Sequence, residues 1–317
     1  GPDLIFHQPA MRMYTSHSIA CASPKLAWSG SGYGVVFTNL SNFPHCLSSE
    51  EVCQGSAGFI PVTTEGDLRY TPPFPLRSTS GAVSMDPSLA WTGSQFGTLW
   101  VDSGDSDCST PETCVFDVHF GRLDASGEIL GPPVTVGSPE TGSAWSLGAP
   151  VWTGSEFGLA WLQESDTGDT CHLMRMAPDG SAIAQVQIPA CGSASLAWSG
   201  GYFGVAFTEE VRGGWNVTHL TYDPASSSWD EPVAVTDTAE YSGNTAMAGV
   251  EAGLALAWLD ARNSGCLGDE DGAGCQVDIY VQLLDVHGTA ITSSIRITSD
   301  AAYTTRPTVA AGEGSIA

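Results

Sequence analysis

Basic residues are scarce in this sequence. Lys25 is its only lysine, and 10 basic residues stand against 35 acidic ones, for a formal charge of -25. Such a balance repels nucleic acids and anionic membrane surfaces, so neither is expected as a partner. No apolar run is long enough to span a bilayer, so no membrane insertion is expected. The catalytic signatures GxSxG, HExxH and the phosphate-binding Gly-Lys-Ser/Thr loop are also absent, which favours a non-enzymatic role.

What the chain does contain is a repeat, seen most clearly at Val151–Trp161 (VWTGSEFGLAW). Further copies lie at Leu26–Phe37, Leu89–Trp100 and Leu196–Phe207. A degenerate copy lies at Ala246–Trp258 and a truncated copy at Thr308–Ala317. The shared pattern is Trp-[Ser/Thr]-Gly-x-x-[Phe/Tyr]-Gly-x-x-[Trp/Phe]. Short apolar runs on either side of small residues and glycine predict a hairpin of two antiparallel strands.

The spacing of the copies predicts the fold class. Counted from Trp28, the steps between equivalent positions are 63, 61, 46, 50 and 62 residues, a period typical of propellers. Each unit holds two more strand candidates, so the sequence predicts an all-β, six-bladed β-propeller of four-stranded antiparallel blades. Strands expected at Leu4–Gln8 and Met11–Tyr14 would complete the C-terminal blade, which makes residues 1–317 one domain. The repeated aromatics are expected to fill space between sheets.

The nine cysteines indicate an oxidising compartment, so an extracellular, cell-surface or periplasmic location is expected. Three close pairs recur between the second and third strands of their units and predict local disulfides: Cys46/Cys53, Cys108/Cys114 and Cys266/Cys275. Cys171 and Cys191 form a candidate fourth bridge, which leaves Cys21 over. The chain begins Gly-Pro, which is typical of a cleaved tag, so the natural N-terminus is expected to be missing.

Long acidic loops suggest a calcium site. Flexible glycine-containing loops with carboxylates suit Ca²⁺, and the candidate ligands are Asp102, Asp105, Asp107, Asp269 and Asp271. Solvated loop charge is the competing explanation, because no loop has the twelve-residue EF-hand pattern. His119, His172 and His219 fall on third strands, where an ordinary packing role is favoured over metal binding. Asn216-Val-Thr218 is a glycosylation sequon.

Up-and-down blades place the connections between second and third strands at one end and the short turns at the other. The long, acidic, cysteine-bearing insertions all belong to the first group, so one face is elaborated and the other plain. Binding sites are commonly built on variable loops held by a rigid scaffold, and the elaborated face is therefore the expected interaction surface.

The WTGSEFGLAW repeat, with WLDAR at Trp258–Arg262 and related Leu-Asp-x-x-Gly turns, resembles propeller repeats of secreted or surface proteins of marine and myxobacterial-type bacteria. The resemblance implies the fold and export, and it transfers no catalytic residues. The resulting hypothesis is a binding or adhesion module that engages a protein or glycan at the cell surface. Two alternatives stay open: a glycoside-active or lyase-type enzyme with a central pocket, and a lectin with a site between each pair of blades.

Overall fold

The computed structural model describes residues 20–40, 55–68, 74–76, 83–104, 106, 108, 114–139, 142–146, 148–165, 168–190, 192, 194–211, 214–238, 240–264, 276–299, 307–312 and 315–316. Within these ranges the regular structure is all strand, as the sequence predicted. In the same ranges no helix has the length and apolar character needed to cross a membrane.

The strands form five blades, each a four-stranded antiparallel sheet in chain order. Blade 1 consists of β1 (Ala20–Trp28), β2 (Tyr33–Leu40), β3 (Gly55–Val62) and β4 (Phe74–Pro75). Blade 2 consists of β5 (Ser84–Trp91), β6 (Phe96–Asp102), β7 (Asp117–Leu123) and β8 (Val134–Gly137). Blade 3 has a divided first strand, β9 (Ala144–Ser146) and β10 (Val151–Trp152), then β11 (Phe157–Gln163), β12 (Thr170–Met176) and β13 (Ala182–Ile188).

Blade 4 has a divided last strand. It consists of β14 (Ala194–Ser199), β15 (Tyr202–Val211), β16 (Gly214–Asp223) and the two pieces β17 (Ser228–Trp229) and β18 (Val233–Ala234). Blade 5 consists of β19 (Ser242–Val250), β20 (Gly253–Asp260), β21 (Asp278–Leu284) and β22 (Ile295–Arg296). The chain packs as two compact units, Gly1–Val136 and Gly137–Ala317. Blades 1 and 2 belong to the first unit and blades 3 to 5 to the second, and one domain over 1–317 stays a prediction.

The prediction of six blades is wrong for the part of the chain that the structure describes, which contains five. In place of a sixth blade there is a two-stranded hairpin, β23 (Ala311–Gly312) and β24 (Ser315–Ile316). The last repeat supplies only its first two strands, and two strands do not make a blade. The strands expected at Leu4–Gln8 and Met11–Tyr14 lie outside the described residues.

The first half of the repeat motif makes the hairpin turn. In blade 3 the Thr153 hydroxyl accepts the backbone N–H groups of Ser155 (3.3 Å) and Glu156 (3.0 Å) and donates to the Glu156 carbonyl (3.1 Å). Gly154 has a φ of 102°, which side chains rarely adopt. Thr92 forms the same turn in blade 2. The Ser/Thr-Gly pair is therefore required by the backbone of the turn.

The second half of the motif packs neighbouring blades together. A Cβ at Gly158 would lie 2.3 Å from a ring carbon of Phe203, the equivalent aromatic of the following blade. A Cβ at Gly34 would likewise lie 2.6 Å from a ring carbon of Phe96. The glycine of Phe-Gly leaves the space into which the next blade inserts its own aromatic residue, so each repeat depends on its successor.

The last aromatic position of the repeat lies in the core, as predicted. Trp100, Trp161 and Trp258 are at most 2% exposed. Each ring stacks on a ring of the third strand: Trp100 on His119 (centroids 5.8 Å apart), Trp161 on His172 (5.1 Å) and Trp258 on Tyr280 (6.0 Å). Cross-strand aromatic pairs of this kind stabilise a sheet and account for two of the histidines.

One predicted disulfide is described directly. Cys108 and Cys114 are bonded in the connection between β6 and β7, where the sequence placed the bridge. Cys171 is also disulfide-bonded, while Cys191 lies outside the described residues. Four more cysteines of the predicted bridges lie outside them as well: Cys46, Cys53, Cys266 and Cys275.

Candidate functional site

The first strands of the blades are the inner ones. Within the first unit β5 lies against β1, and within the second β19 lies against β14, so consecutive blades meet along their first strands. We call the end of a blade that carries the connection between its second and third strands the loop end, and the opposite end the turn end. A residue at the loop end of such a strand therefore lies beside the first strand of the neighbouring blade in its unit.

Three inner strands are bulged near the loop end. The register shifts between Ala22 and Lys25 in β1, between Met85 and Ser88 in β5, and between Gly243 and Ala246 in β19. Each bulge holds one residue with a left-handed backbone: Ser23 (φ 50°), Asp86 (49°) and Asn244 (51°). Such conformations are costly for residues other than glycine, and they concentrate at functional sites.

In the first unit the bulges of neighbouring blades touch. The Ser23 hydroxyl donates to Asp86 Oδ1 at 2.7 Å, and the Asp86 backbone N–H donates to Thr38 Oγ1 at 3.0 Å. Asp86 is nevertheless exposed. Pro24 and Pro87 follow the two bulged residues and cannot donate to a regular strand ladder. The Asp86 carboxylate is therefore exposed, while hydrogen bonds from its backbone N–H and to its Oδ1 hold it in place.

The second unit carries a neutral counterpart. Next to the bulged Asn244, the Thr245 hydroxyl accepts from Ser195 Oγ at 2.9 Å and donates to the Ala206 carbonyl at 3.1 Å. These bonds tie the inner strand of blade 5 to blade 4. Asn244 is half-buried at this fixed position, with an amide side chain that can both donate and accept.

A second set of polar residues stands two positions after the last aromatic of each repeat. Its members share the loop end of the second strand and are Asn39, Asp102, Gln163, Glu209 and Asp260. Equivalent polar side chains in every blade are what a multi-site lectin needs. Asp102 and Asp260 are buried, however, and Glu209 accepts a short hydrogen bond from Thr218 Oγ1. These groups are largely used within their own blades.

Blade 5 shows how such a carboxylate is satisfied. Asp260 is fully buried and accepts from Trp258 Nε1 (2.8 Å), Ser242 Oγ (3.1 Å) and the Arg262 guanidinium through Nε (2.8 Å) and Nη2 (2.5 Å). Burial raises the pKa of Asp260, but the hydrogen bonds from Arg262 and Trp258 outweigh it and leave the pKa below its ordinary value. The guanidinium also lies 4.3 Å from the centre of the Tyr280 ring. This group is a buried structural pair.

Two further arginines are also bonded to groups of their own blades. Arg175 donates two hydrogen bonds to the Glu156 carboxylate (2.7 and 3.0 Å), and these bonds raise the pKa of Arg175. Arg122 donates to the Leu130 carbonyl at 2.5 Å. Together with Arg262, these residues lie in three different blades and are bound to their own surroundings.

Of the predicted calcium ligands, the structure describes only Asp102. Its carboxyl is 2% exposed and accepts the Gly104 N–H at 2.8 Å, an arrangement that shapes the loop. The other candidates lie outside the described residues: Asp105, Asp107, Asp269 and Asp271. Within the described ranges, no three side chains of histidine, cysteine, aspartate or glutamate are grouped to hold a metal. Calcium binding therefore stays a prediction.

The sequon at Asn216 is buried. Asn216 is 2% exposed, and its amide donates to the Gly214 carbonyl (3.3 Å) and the Thr238 carbonyl (3.2 Å) while accepting the Thr238 N–H (2.9 Å). The side chain closes the loop end of blade 4. An amide in this environment does not accept a glycan in the folded protein.

Comparison with known proteins agrees with the propeller fold. The chain is similar to the Trypanosoma rangeli sialidase, with a TM-score of 0.57, 11% sequence identity, and coverage of 92% of this chain and 50% of that one. It is also similar to a neuraminidase-like protein from A/bat/Guatemala/164/2009, with a TM-score of 0.51, 9% identity, and coverage of 89% and 76%. The chain thus spans about half the length of the trypanosomal sialidase. No family model and no curated protein matches the sequence. At these identities the likeness establishes the fold and not the activity.

Proposed function

We propose that the chain is an exported binding module that engages a glycan through the loop end of its inner strands. The observation that carries the proposal is the set of bulged inner strands, which fix an exposed Asp86 carboxylate and the Asn244 amide at a costly backbone conformation. Carboxylates, amides and hydroxyls match the hydroxyl groups of sugars as donors and acceptors. The sequence also left a protein partner open, and binding to a protein instead of a glycan is one outcome of the test.

Two further points support this reading. The Cys108–Cys114 disulfide is typical of proteins that function outside the reducing cytosol, which agrees with export. One of the similar propellers is a sialidase, and we take that as fold-level analogy for a glycan partner. The proposed family remains the propeller-repeat proteins that marine and myxobacterial-type bacteria secrete or carry at their surface.

The proposal is tested by glycan-array binding of the unmodified chain and of Asp86→Asn. We expect Asp86→Asn to lower the affinity of the best-binding glycan by about tenfold or more, because a charge-assisted hydrogen bond contributes roughly 1.5–3 kcal/mol. Glu128→Gln is the matched control: it removes the same charge from an exposed position at the turn end and is expected to bind like the unmodified chain. Repeating the array with Ca²⁺ and with a chelator tests calcium dependence.

Two results would reject a glycan-binding site. One is the absence of any glycan binding by the unmodified chain, which would move the weight to a protein partner. The other is equal loss of binding in Asp86→Asn and Glu128→Gln, which would place the contact elsewhere.

The enzymatic alternative is favoured by the same strained residues, because backbone strain is often stored where chemistry takes place. A glycosidase would release a chromogenic leaving group from an aryl glycoside of the sugar identified on the array. Turnover that disappears in Asp86→Asn, with binding retained, would identify an enzyme. Binding without turnover would favour the module.

A further inference from the structure

His219 occupies a core position that other blades fill with apolar residues. It follows the residue paired with the last aromatic of its repeat, and the equivalent residues are Phe59, Phe120 and Leu173. The His219 side chain is fully buried, and neither ring nitrogen has a hydrogen-bond partner. A buried polar group without a partner is expensive, so its presence at an apolar position needs a reason.

The surface that covers His219 is a turn of the next blade. Residues 285–288 connect β21 to the last strand of blade 5, and a Cβ at Gly288 would lie 2.6 Å from His219 Nδ1. Thr221 Oγ1 of blade 4 donates to the Val286 carbonyl at 2.8 Å. The turn thus docks on blade 4 through this hydrogen bond, through a contact of His287 with Asp230 and through close packing on the imidazole. Blade 2 docks on blade 1 in the same way, with Gly127 against Phe59 and Phe74.

The charged and titratable groups that act on His219 are few. Asp285 and His287 belong to the docking turn, and Asp230 lies between the two pieces of the last strand of blade 4. At the rim, His287 Nδ1 lies 2.7 Å from Asp230 Oδ2, and the Tyr202 ring meets the His287 ring edge-on with centroids 5.1 Å apart. On the other side of the ring, a Cβ at Gly204 would lie 2.8 Å from His219 Nε2, and the strand partners of His219 are Ala206 and Val233. No carboxylate contacts the buried imidazole directly.

The balance of these effects favours neutral His219 in the docked state. Burial lowers the pKa of His219 from 6.5 to about 4, against the weaker attraction of Asp285 and Asp230 for a proton. When the turn is undocked and the ring reaches water, its pKa returns toward 6.5. The undocked state therefore binds more protons between pH 6.5 and 4. The free energy of docking weakens as the pH falls through this window and stays constant below it.

We propose that the junction of blades 4 and 5 is a proton-controlled latch, in which protonation of His219 releases the 285–288 turn from blade 4. At neutral pH the imidazole is packed like the phenylalanines of the other blades. In acid the imidazolium requires water, and the turn that covers it is the nearest element that can open. The rim contact of His287 with Asp230 lies at the edge of the same docking surface, away from the buried imidazole.

The test is hydrogen exchange of the amides of residues 285–288 in the intact chain, corrected for intrinsic rates, at pH 7, 5 and 4. Linkage between the two pKa values of His219 predicts that the opening constant rises about 20-fold at pH 5 and about 100-fold at pH 4 relative to pH 7. The equivalent turn of blade 2, residues 124–127, serves as the internal control and is expected to change little. A histidine NMR titration should give His219 a pKa of about 4.

His219→Phe is expected to abolish the acid response of residues 285–288, because phenylalanine occupies the equivalent position in blades 1 and 2. If that variant does not fold, His219→Leu takes its place, with Leu173 as the precedent. His287→Gln alters the rim contact with Asp230 and should keep the acid response, because His219 is unchanged. Unchanged acid opening in the His219 variant, or equal opening of residues 124–127, would overturn the latch.

Discussion

Gly158→Ala is expected to lower the free energy of unfolding of the C-terminal unit by about 3 kcal/mol, at the upper end of the range for overpacked cores. The new methyl group would lie 2.3 Å from Phe203 Cε1 and 3.0 Å from Val151 Cγ2. Phe203 is fully buried among residues of blades 3 and 4, so its ring has nowhere to move. Urea unfolding followed by tryptophan fluorescence measures the change.

Two variants separate the clash from other costs of replacing glycine. Gly154→Ala adds a methyl group that meets nothing within 4 Å but keeps a φ of 102°, and it should cost only about 1 kcal/mol through the backbone. Adding Phe203→Leu to Gly158→Ala should recover part of the stability, since Leu254 stands opposite the equivalent Gly204. If Gly158→Ala and Gly154→Ala cost the same, interblade packing is not the role of this glycine.

Arg262→Met is expected to destabilise the same unit by about 3–5 kcal/mol at pH 7, because it leaves the buried Asp260 carboxylate without its charged partner. In the unmodified chain the lowered pKa of Asp260 adds stability above the ordinary pKa of 3.8 and loses it as the pH falls below. In Arg262→Met the carboxyl is free to take up a proton in acid. The difference between the two proteins should therefore shrink as the pH falls toward 4.

The double variant Asp260→Asn/Arg262→Met is the control for this prediction. It removes both charges and keeps an acceptor for the Trp258 indole, which donates to Asp260 at 2.8 Å. We expect it to regain most of the lost stability. A double variant as unstable as Arg262→Met, or a loss that does not depend on pH, would show that Arg262 acts through its packing on Tyr280 and not through its charge.

Much of the fold was accessible from the repeat because each part of the motif has a local cause. The Ser/Thr-Gly pair predicts a turn from backbone geometry alone, and Thr153 forms that turn. The spacing of Cys108 and Cys114 between two strands predicted a bridge that is present. The number of blades was overestimated, because a repeat count registers the start of a unit and not whether four strands assemble from it.

The candidate site was far less accessible. The calcium hypothesis rested on the number of carboxylates in the acidic loops. Asp102, at the end of β6, is buried in the tertiary structure, and the number of carboxylates in a loop does not predict such burial. Ser23 and Asp86 were missed, although each precedes a proline just before a predicted hairpin, where a proline is a signal for a bulge. Their hydrogen bond joins positions 63 residues apart and exists only because two inner strands adjoin. Asn244 carries no such signal.

By itself the sequence determined the strands, their hairpins and the repetition of the blade, because turn chemistry and apolar periodicity act over a few residues. Only the tertiary structure decided which polar side chains form hydrogen bonds inside a blade and which are exposed to solvent. Asp86 lies in an inner strand and Asp260 ends a second strand. Asp260 is buried and paired with Arg262, whereas Asp86 is exposed to solvent. That difference arises from packing between blades, which brings together residues that no local pattern connects.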